Sequence, residues 1–164
     1  MTDADQLRLE ADLIGVMRAA ASSAVANGAA FVAPAHVVLG LLADARIGPV
    51  VAPLIPREHV ESAAAASGKL PDVAEVPEGA IPEGEHPPFA RRDTIAFLTR
   101  DGKLSMYLDA DAFHLYLEGA RRARGAYDAK NLVHALIAEA VKEQTLMALI
   151  GSEPQRIGAA IDAL

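Results

Sequence analysis

Cysteine and tryptophan are absent from this chain of 164 residues, and aromatic side chains make up only 4% of it. Without cysteine there is neither a disulfide nor a thiolate metal site, a usage that suits a reducing compartment. Basic residues are in deficit, since 15 Lys and Arg against 22 Asp and Glu leave a formal charge of -7. Phosphate backbones and anionic membrane surfaces attract a surplus of positive charge on one face, so neither nucleic acid nor membrane is an expected partner. No stretch approaches the ~18 apolar residues of a membrane span, and the acidic first residues lack the basic start of a secretory signal. The expectation is a cytoplasmic protein of a single domain, residues 1–164.

Hydrophobic residues reach 52%. With so few aromatics, that content favours closely packed helices. Residues 5–27 carry apolar side chains at helical spacing, among them Leu9, Leu13, Val16, Met17, Ala20 and Ala24, and stop at Asn27-Gly28. Pro34 suits the first turn of a second helix whose inward face is Val37, Val38, Leu41 and Leu42. A short segment at "VVAPLI" and a helix opened by Pro56 complete four helices over about 5–67.

The composition then changes. Five prolines and five acids between Pro71 and Pro88 mark 68–92 as a semi-extended linker. At 93–108, Asp101-Gly102 between alternating apolar residues predicts a β-hairpin with a type I′ turn, setting Phe97 opposite Met106 and Ile95 opposite Leu108. An isolated hairpin is marginal in water, so it must lie on helices or on another molecule. A second helical half, about 109–164, starts at the capping carboxylates "DADAF" and continues past Asp128, with Leu132, Val133, Leu136 and Ile137 inward.

The halves echo each other. Val37, Val38, Leu41, Leu42, Leu54 and Ile55 precede Leu132, Val133, Leu136, Ile137, Leu149 and Ile150 by 95 residues each, and Phe31 precedes Tyr127 by 96. The stretches "AAASSAVANGAAFVAPAHVVLGLLAD" and "GARRARGAYDAKNLVHALIAEA" resemble the two repeats of the Clp N-terminal domain, which fronts the ClpA, ClpB and ClpC class of ring-forming unfoldases. That resemblance implies an all-α fold of two four-helix repeats, about eight helices, related by a pseudo-twofold axis with the hairpin inserted. His36 and Asn131 then occupy equivalent helix-start positions as structural motif residues. Family members that capture phosphorylated arginine use a glutamate in each motif. Those positions are Ala35 and Lys130 here, and neither can form the charge-assisted fork with a guanidinium.

The resemblance also points to a groove for peptides. "HPPFARR" is similar to the segment entering the second repeat of ClpC-type domains, where Phe89 matches a groove phenylalanine and Arg92 a nearby arginine, while Thr94 replaces the expected lysine. Gln6 and Leu9 stand where aromatics are expected, and Phe97 and Met106 of the hairpin are further candidates for the recognition face. No G-x-x-x-x-G-K-[ST] is present, so the chain reads as a free-standing docking domain without ATPase modules.

Catalytic constellations are weak. The five histidines form no H-x-x-x-H pair, which argues against zinc, and Ser22-Ser23 lacks a nucleophile elbow. The arginines of "ARRARG" read as a helix end favoured by the dipole. The expectation is a protein without catalytic residues, metal or cofactor: a protein- or peptide-binding domain that modulates a ClpC-type unfoldase and protease, as adaptor or as competitor for adaptors and substrates. The alternatives are a sink for cyclic peptide antibiotics aimed at the unfoldase and, distantly, a small hydrolase.

Overall fold

Small residues decide how the first two helices meet. In a computed structural model that describes residues 7–69, 96–98 and 105–164, helix α1 (Ala11–Ala26) buries Leu13, Val16, Met17, Ala20, Ala21 and Ala24 along one stripe. Helix α2 (Pro34–Ala43) crosses it so closely that a Cβ on Gly40 would stand 2.4 Å from the Val16 carbonyl oxygen. Only glycine fits there. Pro34 opens α2 as expected, and the helix is buried nearly all round, including Val37, Val38, Leu41 and Leu42.

Helices α3 (Ile47–Val51) and α4 (Arg57–Ala66) follow, then α5 (Ala110–Arg122), α6 (Ala129–Ala140), α7 (Gln144–Ile150) and α8 (Pro154–Asp162). The expected carboxylate caps are in place: Asp109 accepts from the Ala112 N–H and Asp128 from the Asn131 N–H. Apolar faces from α1 to α8 merge into one core, and the described residues are mainly helical. Helix α1 packs on α2, and α5 on α6. Across the molecule α1 meets α6 while α5 meets α2, and α3 meets α8 while α7 meets α4.

Short strands precede four of the helices. Strand β1 (Arg8–Leu9) runs parallel to β5 (Ala126–Tyr127), and β4 (Ser105–Leu108) runs parallel to β2 (Phe31–Val32). The Glu10 N–H donates to the Tyr127 carbonyl at 2.9 Å, and the Asp109 N–H donates to the Val32 carbonyl at 2.9 Å. Each half therefore lends the strand before its long helix to the other half.

Two expectations are corrected here. The first helix begins at Ala11 rather than near residue 5, because Arg8 and Leu9 are held extended against β5; Leu9 lies half-exposed on β1. The strand register also pairs Leu9 with Tyr127 and Leu108 with Val32, so the counterpart of Tyr127 is Val32 at an offset of 95, not Phe31.

The hairpin register is as expected. Strand β3 (Ala96–Leu98) is antiparallel to β4 with Phe97 opposite Met106, giving a sheet of order β2-β4-β3. Its turn, Ile95 and most of the linker, with Phe89 and Arg92, lie outside the described residues.

Candidate functional site

A cleft of about 790 Å³ opens where the two halves meet. One wall is the start of α2 (Ala33, Pro34, Ala35) with His59 and Ala63 of α4. The other is the start of α5 (Asp109, Asp111, His114), Glu139 at the end of α6, and α7 from its cap Glu143 to Leu149. Much of the lining is apolar, from Ala33, Pro34, Ala35, Ala63, Ala148 and Leu149. The rim is polar because helices begin there, and chain entering a helix needs acceptors for its free N–H groups.

Asp109 is the deepest of these carboxylates. Burial pushes its pKa up to about 6, against the opposing bond from the Ala112 N–H, and the neighbouring Asp111 pushes the same way. Glu143 caps α7 through the Thr145 and Leu146 N–H groups, which hold its carboxyl below the usual range. His114 Nε2 lies 3.1 Å from Glu139 Oε2 at one end of the cleft.

His36 lies behind the wall rather than in the cleft. Its side chain is fully buried. Nδ1 accepts from the Ala33 N–H at 2.9 Å, so Nε2 carries the proton and donates to the Ala64 carbonyl at 2.9 Å. Burial lowers its pKa despite the bond to Ala64, and Lys69 lowers it further. Both ring nitrogens are spent on backbone groups, so the ring acts as a strut between α2 and α4. Asn131 fills the same position in α6: its Oδ1 accepts from the Asp128 N–H at 3.0 Å.

Of the side chains expected from sequence to bind peptide, Leu9 alone is described, and it is not among the residues lining the cleft. Leu9 sits on β1 opposite Tyr127, Phe97 and Met106 are described by backbone alone, and Phe89 and Arg92 fall outside. Ala35 does line it, whereas Lys130 donates to the Leu164 carbonyl at 2.9 Å.

That Asp111, read in sequence only as a capping carboxylate, joins Glu139 and Glu143 at one cleft was not visible there, because the three come from separate helices. Also missed was a set formed by His114, Glu118 and Glu139, whose donor atoms lie within 4.8 Å of one another. The spacing of His114 and Glu118, four apart on α5, was visible. Glu118 is gripped by Arg121 and Arg122, which hold its carboxyl below the usual range, so the set could take a divalent cation only with those arginines displaced. Those ion pairs account for two of the three arginines in "ARRARG".

No helix among the described residues is long and apolar enough to cross a membrane. Comparison with protein-family models, with curated proteins and with solved structures found no match to this chain.

Proposed function

We propose that the chain is a non-catalytic protein- and peptide-binding domain built from two Clp-type repeats, and that it modulates a ClpC-type unfoldase through the cleft between them. Equivalence of the halves is supported at several levels. Strands are exchanged reciprocally, the cross-contacts of α1 with α6 and α5 with α2 mirror each other, and Val38 and Val133 are both buried 95 residues apart.

The observation that carries the proposal is the cleft. Its volume falls in the range of roughly 300–1,000 Å³ typical of ligand sites, and it lies at the seam where a double repeat leaves an uncovered crevice. The identity of the partner comes from the sequence resemblance. A non-catalytic role accords with the bonding at and behind the cleft: both ring nitrogens of His36 are spent on backbone groups, and Asp109 and Glu143 cap helices.

Degradation of a labelled substrate by a ClpC-type unfoldase with its peptidase, measured with and without the purified chain, tests this. The rate should change with the chain present and return to its starting value with Ala63→Trp, which fills the cleft from α4. An unchanged rate with wild-type protein would refute the proposed partner. Saturable binding of a cyclic peptide without any effect on the unfoldase would favour the sink instead.

A further inference from the structure

The charges around the cleft are sorted by sign. Four carboxylates line it, those of Asp109, Asp111, Glu139 and Glu143, and no lysine or arginine is among the described lining residues. Cations near it lie outside the described lining: Arg121 and Arg122 are turned to Glu118, Lys142 reaches Glu139 with its side chain largely exposed, and Lys69, next to the lining Gly68, donates to the Asn27 carbonyl. Among the described lining residues only the histidines, His59 and His114, can carry positive charge, and His114 is already paired with Glu139.

Apolar surface accompanies the charge. Alanine and proline give the lining apolar surface beside its carboxylates, which suits a long aliphatic stem ending in a cation. An acidic segment would meet like charge along the wall made by α5, α6 and α7, and a purely apolar one would leave those carboxylates unpaired against it. The proline-rich stretch 71–88 of this chain carries five acids and no lysine or arginine, and so is a poor occupant.

We propose that the cleft selects a basic, extended segment of a partner protein, with lysine or arginine stems along the alanine and proline lining and their heads between Asp111, Glu139 and Glu143. This deepens the proposed function and rests on its assignment of the cleft as the binding site. Rim charges contribute more to selectivity and association rate than to raw affinity, so binding should be modest and salt-sensitive.

The test uses fluorescence anisotropy of the full chain with two short labelled peptides, one alternating arginine with alanine and the other glutamate with alanine. The arginine peptide should bind about tenfold or more tightly than its glutamate counterpart, and rising salt should erode the difference. The combined substitutions Asp111→Asn, Glu139→Gln and Glu143→Gln should abolish that preference. Glu10→Gln, Glu61→Gln and Glu153→Gln together remove the same formal charge away from the cleft lining and should leave it intact. Circular dichroism checks that both triple variants fold. Equal affinity for the two peptides, or equal loss in the two triple variants, would overturn the proposal. If selectivity is absent while Ala63→Trp still cancels the effect on the unfoldase, the cleft stands as the binding site and only its basic ligand falls. If Ala63→Trp leaves that effect unchanged, the cleft assignment itself fails.

Discussion

His36 and Asn131 do the same job with different chemistry. Each stands three residues past the residue that caps its helix and accepts that residue's backbone N–H, at 2.9 Å in α2 and 3.0 Å in α6. They differ at the far side. The His36 ring is long enough to reach the Ala64 carbonyl of α4, and so ties two helices together as well as closing a cap.

His36→Asn should therefore be milder than His36→Ala. Asparagine keeps the bond from the Ala33 N–H and gives up the one to Ala64, whereas alanine abandons both and leaves a cavity. We expect a loss of about 2–4 kcal/mol for alanine and roughly half of that for asparagine, read from urea denaturation. Equal losses would show that the cap bond contributes nothing.

Gly119 is fixed by a neighbour. A Cβ there would stand 2.1 Å from the Tyr127 hydroxyl oxygen, and that hydroxyl, buried with its ring, donates to the Tyr116 carbonyl at 2.8 Å. The tyrosine has nowhere to withdraw. Gly119→Ala should cost about 1–3 kcal/mol, and Tyr127→Phe, by removing the most crowded atom, should recover part of it. Strict additivity in the double variant would contradict that geometry.

The strand exchange can be probed one donor at a time. Glu10 has φ -75, a value proline adopts freely, so Glu10→Pro deletes the N–H that reaches Tyr127 without straining the chain. A loss of about 1 kcal/mol is expected in thermal or urea denaturation. Asp109→Pro, at φ -73, removes the matching bond to Val32 and the side-chain cap of α5 together, so its loss should be about twice as large. No effect from either would show that these strands do not hold the halves together.

Local signals carried much of this fold. Pro34, Asp109 and Asp128 mark helix starts, the apolar stripes of α2 and α6 mark buried faces, and the pairing of Phe97 with Met106 is the one expected from the sequence pattern. What could not be read is non-local. A strand of two residues has no period, so Arg8 and Leu9 merge into the spacing of α1 until the partner strand, more than a hundred residues away, is known. The cleft is illegible for the same reason: Asp111, Glu139 and Glu143 belong to three helices, and each alone looks like an ordinary solvated acid. The His36 cap was legible as a histidine at a helix mouth, but its bond to Ala64 depends on how α4 packs.

Asp109 and His36 should impose opposite pH dependences on stability. Burial raises the Asp109 pKa from 3.8 to about 6, so between those values the folded chain holds more protons at this site than the unfolded chain. Stability from this group is greatest below 3.8 and falls as pH rises through about 6. His36 is lowered from 6.5, so below that pH the unfolded chain binds the extra proton; its contribution is full above 6.5 and drains away on acidification. Protonating Nδ1 would set it against the Ala33 N–H, donor to donor. Asp109→Asn keeps an acceptor for α5 while removing the desolvated charge. It should be more stable than the parent above pH 6, by at most about 3 kcal/mol, and lose that advantage toward pH 4. His36→Asn should do the reverse, with its deficit shrinking as pH falls below 6.5. Urea midpoints from pH 4 to 8 for the parent and both variants measure these differences; a pH-independent offset for Asp109→Asn would mean that the carboxyl is not desolvated in the folded protein.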